Sequence, residues 1–319
     1  MDCKQEQLGQ NQRISYLDVT KGLLIIMVAF SHIQWLSQSF DGSASEKWFL
    51  LNKIGMYLWV PFYMPCFFVI TGFCSNFNKN FAVFLKSKIV TLLFPMLVLS
   101  FSIHWFIWSM FTAIVIYFFI NKYIKTEWLK ALIIILLSFL GSICASFETI
   151  IAIRRYYIFH SIGLVIFVYF GQILKRYSDK LLTNKIIIIT TVFYLCVVIL
   201  SFFQGYKLPA IYSKYDTTIF QWPLHIFLST FGSLMLIGIS KIISKNKVFE
   251  YLGKNSLVIF FLHFTAINLI LRYCNFLFDS YWGFFVVLIM AIALCSFISY
   301  ILNKPQLSWL IGKFKEKKS

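Results

Sequence analysis

Charge is scarce in this sequence: Asp, Glu, Lys and Arg make up 13% of its 319 residues, and the acids number only 12. Soluble domains carry about 25% charged residues, so a water-soluble fold of this composition would expose far too much apolar surface. There is no CxxC pair and no Cys/His cluster at metal-site spacing, so no metal is expected. The seven cysteines, odd in number and mostly inside apolar runs, read as small core residues. Internal repeats, low-complexity stretches and flexible linkers are absent, which excludes solenoids and tethered modules. No small-residue cleavage site follows the first apolar run, so that run reads as a retained span and not as a signal peptide.

Apolar residues fill the gap, at 60% of the chain with a mean hydropathy of +0.78. A hydrocarbon core of about 30 Å needs about 20 apolar residues per helix. Runs of that kind fall near 18–38, 54–74, 88–103, 104–121, 130–147, 157–174, 185–204, 219–242, 255–273 and 282–302. The expected fold is therefore all-α and polytopic, with about ten transmembrane helices forming a single membrane domain over 1–319. The stretch 88–121 is apolar throughout and is split near Ser100 to His104, because one helix there would be overlong. Pro95 and Pro223 inside spans imply kinks, and Pro61 and Pro65 bracket an irregular turn in the second span.

The net charge of +17 invites a nucleic-acid reading, but the 29 Lys and Arg residues lie between apolar runs and form no single patch. No nucleic-acid partner is expected. Their distribution instead sets an orientation, since cytoplasmic loops carry the excess of Lys and Arg. With both termini cytoplasmic, only Lys47, Lys53, Arg154, Arg155, Lys207, Lys214 and Arg272 lie outside. Treating 88–121 as one span would reverse every later loop and spoil this bias. Residues 1–12 then form a polar cytoplasmic tail and 303–319 a basic one, both facing anionic lipids of the cell's inner (plasma) membrane.

The chemistry concentrates in Arg13 to Ile33. A charge at mid-bilayer costs about 2.5–3.5 kcal/mol, so ionisable groups in a span are functional candidates by default. Lys21 and His32 are eleven residues apart in sequence. At 3.6 residues per turn both point from one face, about 16 Å apart along the axis. Asp18, three residues before Lys21, adjoins it on that face. The stripe suits an anionic cytosolic substrate held at its Lys end, with a neutral imidazole deeper in as base or nucleophile. It equally suits a snorkelling Lys, an Asp paired to it and a His bonded to a neighbouring helix.

Four motifs in order along the chain resemble the membrane-bound acyltransferase 3 family, which includes sugar O-acetyltransferases of surface polysaccharides. LDVTKGLLIIMVAFSH (Leu17 to His32) is similar to the family's opening, in which a basic residue precedes a His regarded as catalytic. MPCFFVITGF (Met64 to Phe73), followed by the basic LKSKIVTLLFP (Leu85 to Pro95), HWF (His104 to Phe106) and LGKNSLVIFFLH (Leu252 to His263) supply the others. In this chain lysines replace the paired arginines that many members carry after the second span, and the loop between the third and fourth spans is nearly absent.

The resemblance implies acyl transfer from acetyl-CoA to a hydroxyl of a cell-surface or lipid-linked glycan. It places His32, Lys21 and Asp18 at the catalytic centre, and Arg13, Lys21, Lys79, Lys86 and Lys88 against the coenzyme's phosphates. Whether His32 acts as base or as acyl carrier stays open. For the acceptor, His263 suits either the pocket or a core hydrogen bond, and His104 with Trp105 either a pocket wall or an interface anchor. Glu148 and Arg154 sit on a predicted outer loop, where they would meet a glycan or stay solvated. His160 and His225 read as structural. A proton-coupled transporter remains the rival reading; it predicts Gly- or Pro-broken spans at matching places in two halves, and none pairs up.

Overall fold

A computed structural model describes residues 14–41, 46–100, 104–147, 157–209, 221–274 and 280–314. Among these the chain is helical, with no strand. The long elements are α1 (Ser15–Asp41), α2 (Glu46–Leu58), α3 (Tyr63–Cys74), α4 (Phe81–Lys88), α5 (Phe94–Ser100), α6 (Trp105–Tyr123), α7 (Glu127–Phe147) and α8 (Ile158–Arg176). After the short α9 (Ser178–Leu181) come α10 (Asn184–Gln204), α11 (Trp222–Ile242), α12 (Lys247–Lys254), α13 (Ser256–Tyr273) and α14 (Tyr281–Leu302). Nine stretches of described helix are long and apolar enough to cross a membrane, and α2 and α3, bent by 42°, pass the same test together, as a broken span or a re-entrant loop. The protein is a multi-pass membrane protein, and the expected break after Ser100 is present, with α6 opening from an extended His104.

The spans differ in depth within the bundle. The membrane-length windows of α1 and α11 are 67% and 61% buried by other helices, whereas those of α7, α10 and α14 are 22–28% buried. The outer helices turn Ile188, Leu200 and Ile289 outward. Such faces match lipid tails, which are as apolar as the side chains they meet.

With little hydrophobic drive between helices in lipid, close packing selects small residues. At Gly72 of α3 and Gly171 of α8, an added Cβ would strike the Val168 and Val69 carbonyl oxygens of the opposite helix. These two glycines let the backbones touch. Gln172, one position on, donates to the Gly72 carbonyl and, at 3.1 Å, to the Ser75 carbonyl, closing the C-terminal end of α3.

Breaks in spans free backbone groups that water cannot reach. At the bend around Pro61, Tyr194 Oη donates to the Leu58 carbonyl at 3.1 Å and Ser229 Oγ to the Pro61 carbonyl at 2.7 Å. Ser229 also meets His225 Nε2 at 3.3 Å. Because Ser229 donates to Pro61, the ring nitrogen is the donor in that second bond. Pro95 has a different effect. It cannot donate to the carbonyl four residues back and would clash with it, and residues Ile89–Leu93 widen into a π-helical turn closed by the Phe94 amide on the Ile89 carbonyl.

Three expectations are corrected. Pro223 lies in the first turn of α11, where a missing amide is harmless, so it does not kink a span. The third span starts earlier than residue 88, at Phe81, because the Asn80 side chain caps the helix by accepting from the Ala82 amide at 2.9 Å. The cysteines are not uniformly free core residues: Cys66 and Cys295 are, but Cys196 is exposed and Cys74 is disulfide-bonded. We expect Ser229→Ala and Tyr194→Phe each to strip a carbonyl at the span-two break and lower stability by about 1–3 kcal/mol. Thermal unfolding of the detergent-solubilised protein would read this as a lower melting temperature.

Candidate active site

The Asp18 carboxylate and the Lys21 ammonium form an ion pair at 2.6 Å, with side chains only 1% and 7% exposed. A carboxylate this buried needs a cation beside it, since removing one partner leaves an uncompensated charge. The enclosure comes from α12. A Cβ on Gly253 would collide with the Asp18 carbonyl, and one on Gly22 with the Phe249 carbonyl, so the backbones of α1 and α12 are in contact on both sides of the pair. α12 is itself capped by the Asn246 side chain, which accepts from the Val248 and Phe249 amides. It carries a Glu250–Lys254 ion pair at 2.5 Å.

A slot with about 600 Å³ of empty space, part of it open to solvent, starts at Lys21, Gly253 and Lys254. Its walls are Ile70 and Thr71 of α3, Thr91 and Leu92 of the π-helical turn, Ile107 and Met110 of α6 and Leu257 of α13. Phe67, Phe106 and Phe260 also line it; the last two rings lie 5.1 Å apart.

Beyond Phe260 are two imidazoles. The His263 ring lies 5.8 Å from that of Phe260 and 5.0 Å from that of His32, at 68° to the latter. Each ring is tied to its own helix. His32 Nδ1 meets the Val28 carbonyl at 2.8 Å, and His263 Nδ1 meets the Phe260 and Ile259 carbonyls at 2.7 and 3.2 Å. A carbonyl can only accept, so Nδ1 carries the hydrogen in both rings, and the neutral form of each offers an Nε2 lone pair. His263 Nε2 is buried with no hydrogen-bond partner. His32 is only partly buried.

The sequence matches the family model of the acyltransferase 3 acyltransferase domain over residues 14–103 and 97–301. The chain belongs to the acyltransferase 3 family. No curated protein and no solved structure matches it. The two matched segments overlap at 97–103, where α5 gives way to α6 in this acyltransferase 3 member.

The other residues singled out in the sequence scatter around this centre. His104 is half-buried and packs 5.4 Å from Phe261 and 6.0 Å from Phe260. Trp105 turns to Phe106 and Tyr157, outside the slot. Lys79 and Lys86 are exposed, while Lys88 is buried and donates to Ser75 Oγ at 2.8 Å. Lys88 thus stands at the C-terminal end of α3, where the helix dipole favours a cation. Arg13, Glu148 and Arg154 lie outside the described residues.

Sequence reading missed Phe260, Thr91 and Tyr157. Thr91 had a signal in Pro95 four residues later; Phe260 is one of 37 phenylalanines and had none. Tyr157, at φ 45°, opens α8 in a left-handed conformation that an aromatic residue seldom adopts, and its ring faces Trp105 and His160. The buried ion pair gives a direct check on the centre. Asp18→Asn should destabilise by about 3–5 kcal/mol, and pairing it with Lys21→Met should recover most of that loss. A melting series of the two singles and the double would show the non-additivity; equal, additive shifts would speak against the pair.

Proposed function

We propose that the protein transfers an acyl group, most simply acetyl, from cytosolic acetyl-CoA to a hydroxyl of a cell-surface or lipid-linked saccharide, with His32 at the reacting centre. The supporting observation is a slot lined by Lys21 of the buried ion pair and by Phe260, whose ring lies 5.8 Å from that of His263, which in turn lies 5.0 Å from that of His32. A thin pantetheine arm suits the slot. Lys21 and Lys254, which line it, and the exposed Lys79 and Lys86 suit the coenzyme's phosphates as point charges. Arg13 belongs to the same reading. In this orientation the slot mouth, the N-terminus and the C-terminus face the cytoplasm of a cell whose plasma membrane holds the protein.

Chemically, neutral Nε2 of His32 either takes the proton of the attacking hydroxyl or attacks the thioester itself. The hydrogen bond from Nδ1 to Val28 holds the ring and spreads any positive charge that develops on it. His104, which packs on Phe260 and Phe261, and Trp105 are the residues of choice for the acceptor, with Glu148 and Arg154 as further outer contacts.

Labelled acetyl-CoA supplied to purified protein with a panel of glycans tests the reading. His32→Ala should lower transfer by about a thousandfold, and normal transfer by this variant would sink the centre. Lys21→Met should raise KM for acetyl-CoA about tenfold with a smaller change in kcat; an unchanged KM removes its phosphate role. Phe260→Ala, by opening the inner end of the slot, should raise kcat/KM for butyryl-CoA relative to acetyl-CoA, and an unaltered ratio would show that Phe260 does not set chain length.

A further inference from the structure

His263 is an expensive residue where it stands. It is 4% exposed, its Nε2 has no partner, and its nearest polar neighbour ring is His32. A purely structural histidine in an apolar span finds a partner for both nitrogens, because an unsatisfied polar atom there is unfavourable. His225, the other buried histidine, has Ser229 as a partner for its Nε2. The orphan nitrogen of His263 therefore points to a partner that arrives with substrate.

We propose that His263 is the base that takes the proton of the acceptor hydroxyl while His32 carries the acyl group, an assignment that rests on the acyl-transfer reading above. The first half runs by attack of His32 Nε2 on the thioester carbonyl. A C–N bond forms, the C–S bond breaks and coenzyme A leaves as thiolate, so His32 becomes an acyl-imidazolium whose Nδ1–H still donates to Val28. Its only lone pair is now used, and the hydroxyl that attacks next needs another base. His263 Nε2 takes that proton as the new C–O bond forms and the C–N bond breaks. His32 returns neutral, and the proton on His263 passes to solvent, balancing the one taken up by the thiolate.

Charge conservation within the pair favours this division. After acylation one positive charge sits on His32, and after deacylation one sits on His263, 5.0 Å away between ring centres. The apolar site never holds two like charges, which repel strongly at that separation. Both cationic forms are met by carbonyls already in place, Val28 for one ring and Phe260 with Ile259 for the other. The ring neighbours of the pair are uncharged, Phe264 beside His32 and Phe260 beside His263.

The test separates the two halves. Purified wild type, His263→Asn, His263→Gln and His32→Ala are mixed with acetyl-labelled coenzyme A without acceptor, then chased with hydroxylamine or with a methyl glycoside. Asn keeps an amide donor in place of Nδ1–H but supplies no base. Hydroxylamine discharges an acyl-imidazole without a base, whereas a sugar hydroxyl needs one. We expect wild type and both His263 variants to release about one coenzyme A per protein and to lose their label to hydroxylamine equally. Discharge to the glycoside should fall about a hundredfold in both variants, and His32→Ala should take no label.

Wild-type discharge to the glycoside by His263→Asn would overturn the proposal, as would loss of coenzyme A release in both His263 variants. Wild type that acylates the glycoside without ever carrying label on His32 would also overturn it, while leaving the acyl-transfer reading intact. Wild type that releases no coenzyme A at all would remove that reading, and this proposal with it.

Discussion

The direct contact between the backbones of α1 and α12 sets the geometry of everything around it. It exists because Gly22 and Gly253 present no side chain where the two helices meet. One result is local, since the touching backbones shut the Asp18–Lys21 pair away from lipid. The other is transmitted. α13 starts at Ser256, two residues after α12 ends, so fixing α12 against α1 also fixes the start of the helix that carries His263. The junction is further held by Asn255, whose Oδ1 accepts from Asn303 Nδ2 at 2.8 Å and whose own amide donates to the Tyr251 carbonyl. A single contact between small residues thereby determines the ion pair at one end of the site and the imidazole spacing farther along.

The other irregularities follow the same economy. A span that bends or widens frees carbonyls in a medium without water, and each is met by a side chain or by an altered helical turn. The bend at Pro61 is served from α10 and α11, the end of α3 from Gln172 of α8, and the strain at Pro95 is absorbed by the π-helical turn. That turn then supplies two walls of the slot. A departure from regular helix and the slot thus coincide.

Much of the architecture was legible in the sequence because span length and Lys/Arg placement are strong signals in a membrane protein. The α1 stripe was legible too, since helical periodicity alone puts Asp18, Lys21 and His32 on one face. What periodicity could not reveal is contact between helices. Spans such as α6 and α14 are apolar all round, so nothing in their residue order marks which side meets a neighbour. The approach of His263 to His32, the place of Phe260 between slot and imidazoles, and the turning of Lys88 toward Ser75 are all of this kind. Pro223 failed for a simpler reason: a proline at a helix start and one in its middle look the same until the start is known.

The anchoring of both imidazoles by Nδ1 to carbonyls of their own helices has a mechanical consequence. Neither ring can swivel about its ring axis without giving up its hydrogen bond, so each nitrogen moves as part of a rigid rod. The gap between the two Nε2 atoms is therefore a gauge of how α1 and α13 lie against each other, and small slips or tilts of one rod along the other are passed to the reacting atoms without being absorbed by side-chain rotation.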